Sequence, residues 1–437
     1  VNTTTDIGFV GTNVLVGGRL ANDLKDTPIA YSVLTREFID ALDIQNVIDA
    51  SQWTVNATNS ADDGRFEIFG APTAFTFRGV SANATQRDFF PYPSFIFDSY
   101  NLDRYDFARG PNSILFGIGS LGGTANLVSK KARVEKATRN IRLTYGSWEN
   151  YRTTLDINQP ITDKAAVRLN LLYQDRDAWR DLEWEQKTAI HIAGTYKPTR
   201  ALSFHGEAEF GKFDRNTPLT TIADGVSGWD GVSVFSAPLL TTPADANQRG
   251  ILRYTGTSFI YAPFVSAEVF SAANAVRTQG GNLTAAIPVG GVLVVGQSAS
   301  VANQPITETL NLPSDRFDRA IAGSEFYVPE RGFAIGPSSP SHVRDYQILS
   351  GSVNYQLGSQ LFFEGAGNYA LDESAVELIG VRGLTTAFID LNRYLPDGTT
   401  NRGYLKPYNE TPRQVAFRDN EMYHTRAALA YVLDRTR

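Results

Sequence analysis

Residues 109–123 read RGPNSILFGIGSLGG. Within them Gly117, Gly119 and Gly122 form the G-x-G-x-x-G spacing of a dinucleotide-binding loop. That loop needs a strand before it, a long helix after it and an acidic residue about twenty positions on. The next residues are TANLVSKKARVE, where Thr124, Asn126 and Val128 suit a strand or turn. No acidic residue stands at the expected distance, and no Walker lysine succeeds the glycines. The glycines therefore serve the backbone, allowing close approach and positive φ.

The bulk composition narrows the rest. The chain has 437 residues, 42% hydrophobic and 20% charged, which is not a disordered composition. That length holds two or three ordinary domains, or one large barrel with an attachment. A net charge of −6 argues against nucleic acid as a partner. The absence of cysteine excludes thiolate metal sites, thiol nucleophiles and disulfides. His191, His205, His342 and His424 show no metal-ligand spacing, although His191 and His205 fall on neighbouring strands. No metal and no resident cofactor are expected. No Ser-His-Asp spacing or paired-carboxylate motif supports an enzyme.

The chain has two grammars. Residues 1–135 read as a small mixed domain. A strand is predicted over Ile29–Leu34, then a helix capped by Thr35 through Leu42 and another capped by Asp43 through Ala50. Further strands are expected at Phe66–Phe69, Ala74–Val80, Phe95–Phe97 and Ala125–Ser129, with a short helix over Leu102–Ala108. Residues 136–437 alternate instead. In AVRLNLLYQD (166–175), Val167, Leu169, Leu171 and Tyr173 share one face, while Arg168, Asn170, Leu172 and Gln174 share the other. Phe204 and Tyr431 fall on the apolar side, Glu207 and Glu209 on the wet side.

Eight strands are expected near 139–146, 151–158, 165–175, 187–197, 201–211, 344–356, 360–370 and 421–433. Short joints at QPITDK, Pro198–Arg200 and Gly358–Ser359 alternate with longer ones, including excursions over 212–343 and 371–420. No run of eighteen apolar residues exists, yet Phe (26) and Tyr (19) are abundant. This is the layout of an outer-membrane barrel, with short periplasmic turns and long extracellular loops. Alternation alone leaves a secreted β-sandwich open.

The motifs carry a sharper resemblance. FRGV (77–80), then LDRYDFARGPNSILFGIGSLGGTANLVSKKA (102–132), resembles the plug domain of TonB-dependent outer-membrane receptors, and KDTPIAYSVLTREFID (25–40) resembles its opening. Arg104, Arg109, Gly110, Pro111, Ser113, Leu115, Gly117, Gly122, Gly123, Asn126 and Lys130 stand at the family's motif positions. The resemblance covers about residues 24–132.

The resemblance implies a mainly β fold: a transmembrane antiparallel β-barrel with a small N-terminal α/β plug. It also implies ligand-gated import across the bacterial outer membrane, energised by TonB with ExbB and ExbD. The ligand would be an extracellular metal chelate, with a ferric siderophore first; glycan or cobalamin-type cargo and a non-transporting adhesin stay open. Outer-membrane lipid would bathe the wall. Plug arginines Arg78 and Arg109 would lock onto barrel carboxylates Glu207 and Glu209 or be spent inside the plug. Because a plugged lumen takes about 22 strands, eight strands read as the N-terminal portion of a truncated barrel. VNTTTDIG shows no recognisable TonB-binding segment. QRDFFPYPSF (86–95) has the composition of a loop tip. Arg87, Phe89, Phe90 and Tyr92 either pack in the plug core or form an aromatic, cationic floor for the ligand.

Overall fold

A computed structural model describes residues 6, 8–16, 20–23, 30–59, 75–77, 80–81, 85–92, 97–109, 122–216, 250–254, 259–263, 286–289, 292–295, 338–358, 360–379, 388–389, 407–408 and 413–431. Phe66–Phe69 lies outside the described residues.

The N-terminal sheet has five strands. β1 (Ala30–Leu34) leads to α1 (Arg36–Ala41) and α2 (Val47–Ser51), then β2 (Thr85–Arg87), β3 (Phe90–Pro91), β4 (Leu102–Arg109) and β5 (Gly123–Ser129). Their order is β1-β4-β5-β2-β3, antiparallel except for β5 with β2. Thr35 caps α1 as expected, its side chain accepting from the Phe38 amide. The cap of α2 is Asn46 rather than Asp43: Asn46 Oδ1 accepts from the amides of Ile48 and Asp49, while Asp43 sits at φ 49° in the preceding turn. The helix expected over Leu102–Ala108 is strand β4. It pairs on both sides and Leu102–Ala108 are all buried, so no amphipathic period distinguishes helix from strand there.

β5 also answers the glycine question. Gly122-Gly123 enters a strand, not a helix. Gly123 has φ 147°, and a Cβ on it would lie 2.5 Å from the Ala108 carbonyl and 2.7 Å from the Phe77 ring. Only glycine fits that approach.

The second sheet has eight strands in sequence order: β6 (Thr138–Gly146), β7 (Asn150–Pro160), β8 (Ala165–Asp177), β9 (Trp184–Tyr196), β10 (Leu202–Asn216), β11 (His342–Leu357), β12 (Leu361–Ile379) and β13 (Arg413–Tyr431). Every neighbour is antiparallel. All eight expected strands are present, but several run further. β10, β12 and β13 take residues up to Asn216, up to Ile379 and from Arg413 out of the expected excursions 212–343 and 371–420. Within the excursion 212–343, Val292–Val295 pairs with Ala286–Val289 in a separate hairpin.

Parity sorts the two faces. In β8, Ala166, Arg168, Asn170, Leu172 and Gln174 are buried against the small domain, while Val167 and Tyr173 are exposed. Phe204, Phe210, Leu349, Tyr423, Leu429 and Tyr431 are exposed on the outer face. Aromatic pairs mark two levels of that face: Tyr196 with Phe204 toward the short turns (centroids 6.4 Å), Tyr369 with Tyr423 toward the other end (5.0 Å). The register carries Tyr173 through Thr188 to Lys212. From Phe204 to Lys212 is roughly 26 Å along the strand, or about 20 Å of height at a barrel tilt. That approaches an outer-membrane apolar band. Among the described residues no helix is long and apolar enough to cross a membrane.

Candidate functional site

The concave face of the large sheet holds the small domain by two unlike flanks. On β6–β9 the contacts are ionic. Arg152 of β7 grips Asp98 with both guanidinium nitrogens, at 2.5 and 3.0 Å, and Lys187 stands 3.9 Å from the same carboxylate. Burial would raise the Asp98 carboxyl, but Arg152 and Lys187 outweigh it and hold it below its ordinary range. Deeper, Arg168 pairs with Asp156 at 2.7 Å and lies 3.7 Å from Asp103. Lys130 reaches Asp156 at 2.9 Å and donates to the Tyr100 carbonyl. Burial, then the charge of Arg36, pushes Lys130 down to about 8 despite Asp156. Asn158 clamps the link between the sheets, donating to the carbonyls of Arg133 and Lys136 and accepting from the Arg133 amide.

On β10–β13 the contact is made by the β2–β3 hairpin. Its turn residues Asp88 and Phe89 have φ 49° and 65°. Asn-Gly suits such a turn, and a bulky side chain there costs on the order of 1 kcal/mol or more. Many bonds hold it. The Asp88 amide donates to Leu127 O and the Phe89 amide to Asn126 Oδ1. Arg426 of β13 donates to the Asp88 carbonyl at 2.5 Å, and its guanidinium lies over the Phe90 ring at 4.4 Å. The Tyr92 hydroxyl donates to Asn368 Oδ1 at 2.9 Å. Phe90, Tyr92 and Phe97 share one apolar cluster with Ile348 and Ala370 of the wall.

Arg87, on β2, ties the hairpin to β10 by a buried ion pair. It is 2% exposed. Nη1 bonds to Glu209 Oε2, Nη2 lies 3.9 Å from Glu207, and Nε donates to Ser129 Oγ. Tyr100 and Tyr346 both donate to Glu209 Oε1 at 3.0 Å. Burial works against the charge of Arg87, but Glu209, Glu207 and Asp88 more than offset it and hold the guanidinium firmly protonated. Asp88 moves the other way: burial and Glu207 raise its carboxyl against the pull of Lys131, Ser129 and Arg87.

The expected site residues part company in the structure. Arg87, Phe89, Phe90 and Tyr92, expected on a loop tip, are all buried, at 2%, 9%, 4% and 1% exposure. The correction comes from pairing: β2 lies beside β5, which carries the hairpin inward against the wall. Glu207 and Glu209 meet Arg87 rather than Arg109. Arg109 donates to the carbonyls of Val55 and Tyr31, inside the small domain. Gly122 and Gly123 are buried beside β4. Arg78, Gly110, Pro111 and Gly117 lie outside the described residues. His191 and His205 take separate partners, Asn170 with Glu207 for the first and Thr195 for the second. Sequence reasoning missed Arg152, Asn158 and Arg426. Strand parity carries the signal for Arg152 and Asn158, which share the inward face of β7 with Asp156.

Residues 23–124 match the family model for the TonB-dependent Receptor Plug Domain. The ferripyoverdine receptor of Pseudomonas aeruginosa is 29% identical over 56% of this chain and 29% of its own length. The metal-pseudopaline receptor CntO of the same species, strain UCBPP-PA14, is 32% identical over 44% of this chain and 28% of its own. In fold the chain is similar to the closed form of the ferric-catecholate import receptor Fiu from E. coli K12. The TM-score is 0.59 at 14% identity, over 98% of this chain and 47% of that one. The chain thus spans less than half the length of these proteins. Residues 23–124 are similar to a TonB-dependent receptor plug domain, and the eight-stranded sheet is similar in fold to the wall of that solved receptor.

Proposed function

We propose that this protein imports a scarce metal chelate, foremost a ferric siderophore, across the outer membrane of a Gram-negative bacterium. TonB would supply the pull, with ExbB and ExbD behind it. The single observation that carries this reading is a matched plug domain seated by buried ion pairs on the inner face of a sheet whose outer face is apolar. A surface that merely adheres has no use for a stopper docked this way. The names of the relatives, a ferripyoverdine receptor and a metal-pseudopaline receptor, support the cargo class.

In this reading Glu209 and Glu207 hold Arg87 and so keep the plug seated, the role that the sequence alone suggested for Arg78 and Arg109. Buried ion pairs suit that role, because breaking one member is costly when the other stays behind uncompensated. No covalent chemistry is needed, so the protein acts as a transporter and not as an enzyme.

The test is uptake of radiolabelled ferric pyoverdine, and of a nickel–pseudopaline-type chelate, by a Gram-negative strain lacking its own siderophore receptors and expressing the full gene. Accumulation that disappears in a tonB-deficient strain supports the proposal. Binding without TonB-dependent accumulation for every chelate tried, cobalamin and oligosaccharide included, overturns import.

A further inference from the structure

At the end of the large sheet that carries the long excursions, one ladder row sets Phe213, Arg344, Ser374 and Arg418 side by side on β10–β13. They share the inward parity of Glu209, Ile348 and Ala370, which meet the small domain. The next pair along the strands, Arg215 with His342, is inward as well. From Glu209 to Arg215 is roughly 20 Å along the strand, so this cluster lies beyond the Arg87 contact, toward the mouth. The adjoining row, turned to the outer face, reads Lys212, Asp345, Glu373 and Asp419. Charge is thus sorted by face: Arg215, Arg344 and Arg418 look in, while Asp345, Glu373 and Asp419 look out. On β7–β9 the small domain answers the inward cations, because Asp98 takes Arg152 and stands near Lys187. Among the described residues of β10–β13 at this height, the inward carboxylate is Asp372, bonded to Arg344 at 2.6 and 2.7 Å. His342 sharpens the contrast. Its ring is 7% exposed and meets Phe213 edge-on at 5.5 Å. Its Nδ1 has no hydrogen-bond partner among the described residues, and the charges of Arg215, Arg344 and Arg418 all bear on it. Phe213 also carries Arg215 and Lys187 over its ring, each at 5.4 Å, which fixes where those cations stand.

We propose that Arg215, Arg344 and Arg418, with His342 and the Phe213 ring, form an anion subsite on the wall, and that the chelate taken here is a net anion bearing free carboxylates. The cargo class rests on the proposed import and narrows it by charge. The chemistry fits a carboxylate closely. Guanidinium presents paired donors that match both carboxylate oxygens. His342 Nδ1 adds a polar contact beside them, and Phe213 offers a flat apolar surface to the organic part of the ligand. Cations gathered on a concave, low-dielectric wall focus their field into the mouth and draw an anion in before close contact is made. A neutral chelate would leave those charges unanswered and gains only the contact with Phe213.

The chain has no cysteine, so a single thiol can report the local potential. Ser374→Cys places one between Arg344 and Arg418. The complete receptor, purified in a neutral detergent, is reacted with two methanethiosulfonates of similar size, one bearing a sulfonate and the other a trimethylammonium group. Each rate is divided by that of the same reagent with free cysteine, and heat-modifiable gel mobility checks assembly. The sulfonate reagent should be favoured about tenfold. Arg215→Gln together with Arg418→Gln should bring the ratio several-fold closer to one. Lys212→Gln, which removes a cation from the outer face, should leave it unchanged. Citrate, added at constant ionic strength, should slow the sulfonate reagent several-fold, and glucose should not. A parent ratio at or below one, an equal response to Lys212→Gln, or indifference to citrate would each overturn the subsite. The parent ratio and the citrate effect decide the matter even if the double variant fails to assemble. Failure of chelate uptake with both intact would sink the import reading and leave the anion subsite standing. Chelate uptake with a parent ratio of one would do the reverse.

Discussion

The β6–β9 flank and the β10–β13 flank face the same small domain with a different balance of chemistry, ionic on the first and a mixture of apolar contact and one buried ion pair on the second. One is built of Arg152–Asp98, Lys130–Asp156 and an Arg168 that Asp156 orients toward Asp103, pairs with fixed geometry and little tolerance for sliding. The other is built of Phe90, Tyr92, Ile348 and Ala370, apolar contacts that lose little when shifted, around a turn under strain, with the Arg87–Glu209 pair as its one buried ionic hold on the wall. Under the proposed import, a plug that must hold and also yield would use both. Ion pairs anchor because a half-broken pair is expensive. Apolar contact against small side chains yields because it weakens gradually.

The largest test of this contrast is Arg152→Ala. It leaves Asp98 buried without its main partner and should cost about 3–5 kcal/mol. Urea unfolding followed at plug tryptophan Trp53 would measure it. The double variant Arg152→Ala, Asp98→Ala should cost clearly less than the sum of the single changes. Additivity would mean that the pair is decoration and that the anchored flank is anchored by something else.

Both flanks depend on the parity of the wall, and Leu171→Arg tests that parity. Leu171 is on the outer face, next to Ile190 and Leu155 in the ladder. A cation there should cost about 2–4 kcal/mol in the bilayer, read as loss of the heat-modifiable folded form. Leu171→Phe should assemble normally. Normal assembly of Leu171→Arg would shift every inward residue named above by one position.

The sequence made the wall legible because alternation is a strong signal where one face is apolar and the other charged. AVRLNLLYQD places Arg168 and Asn170 inward without any structure. The plug was legible through spaced motifs, and Gly123 through the close approach its neighbours impose. Strand β4 was not, because a segment buried on both sides shows no period. The hairpin was left between two readings for a related reason. Aromatics beside prolines suit either a loop tip or a core edge, and only pairing with β5 decides between them. Arg87 could not be assigned to Glu209 because the two are 122 residues apart. Parity fixed which carboxylates point inward, but not which arginine reaches them.

On the yielding flank, Tyr92→Phe should have a smaller effect than either change above. It removes one hydroxyl bond and leaves Asn368 its donation to Ser350 Oγ. The expected cost is about 1 kcal/mol, measured by the same urea unfolding. A cost matching that of Arg152→Ala would erase the distinction between the flanks.

The smallest expected effect is a divergence with pH. Asp98, on the anchored flank, is held below the ordinary carboxylate range. Its contribution is present above its unfolded value, about 4, and is lost as pH falls toward its folded value. Asp88, on the hairpin, is held above that range by burial and by Glu207, against Lys131, Ser129 and Arg87, with Arg426 and His205 lining a small cavity beside it. A carboxyl raised on folding stabilises below its unfolded value, and that contribution fades as pH rises through the folded one. Mild acidification should therefore tighten the hairpin before it weakens the anchor. Amide exchange, corrected for intrinsic rates, separates the two. The Asp88 and Tyr92 amides, bonded to Leu127 and Thr85, should gain protection a few-fold as pH falls from neutrality toward the ordinary carboxylate value. The Tyr100 amide, bonded to Asp98 Oδ1, should hold steady until pH drops below about 4 and then lose protection. Asp88→Asn should abolish the first change and spare the second. Hairpin amides that lose protection on mild acidification would mean that proton uptake at Asp88 opens the contact instead of closing it.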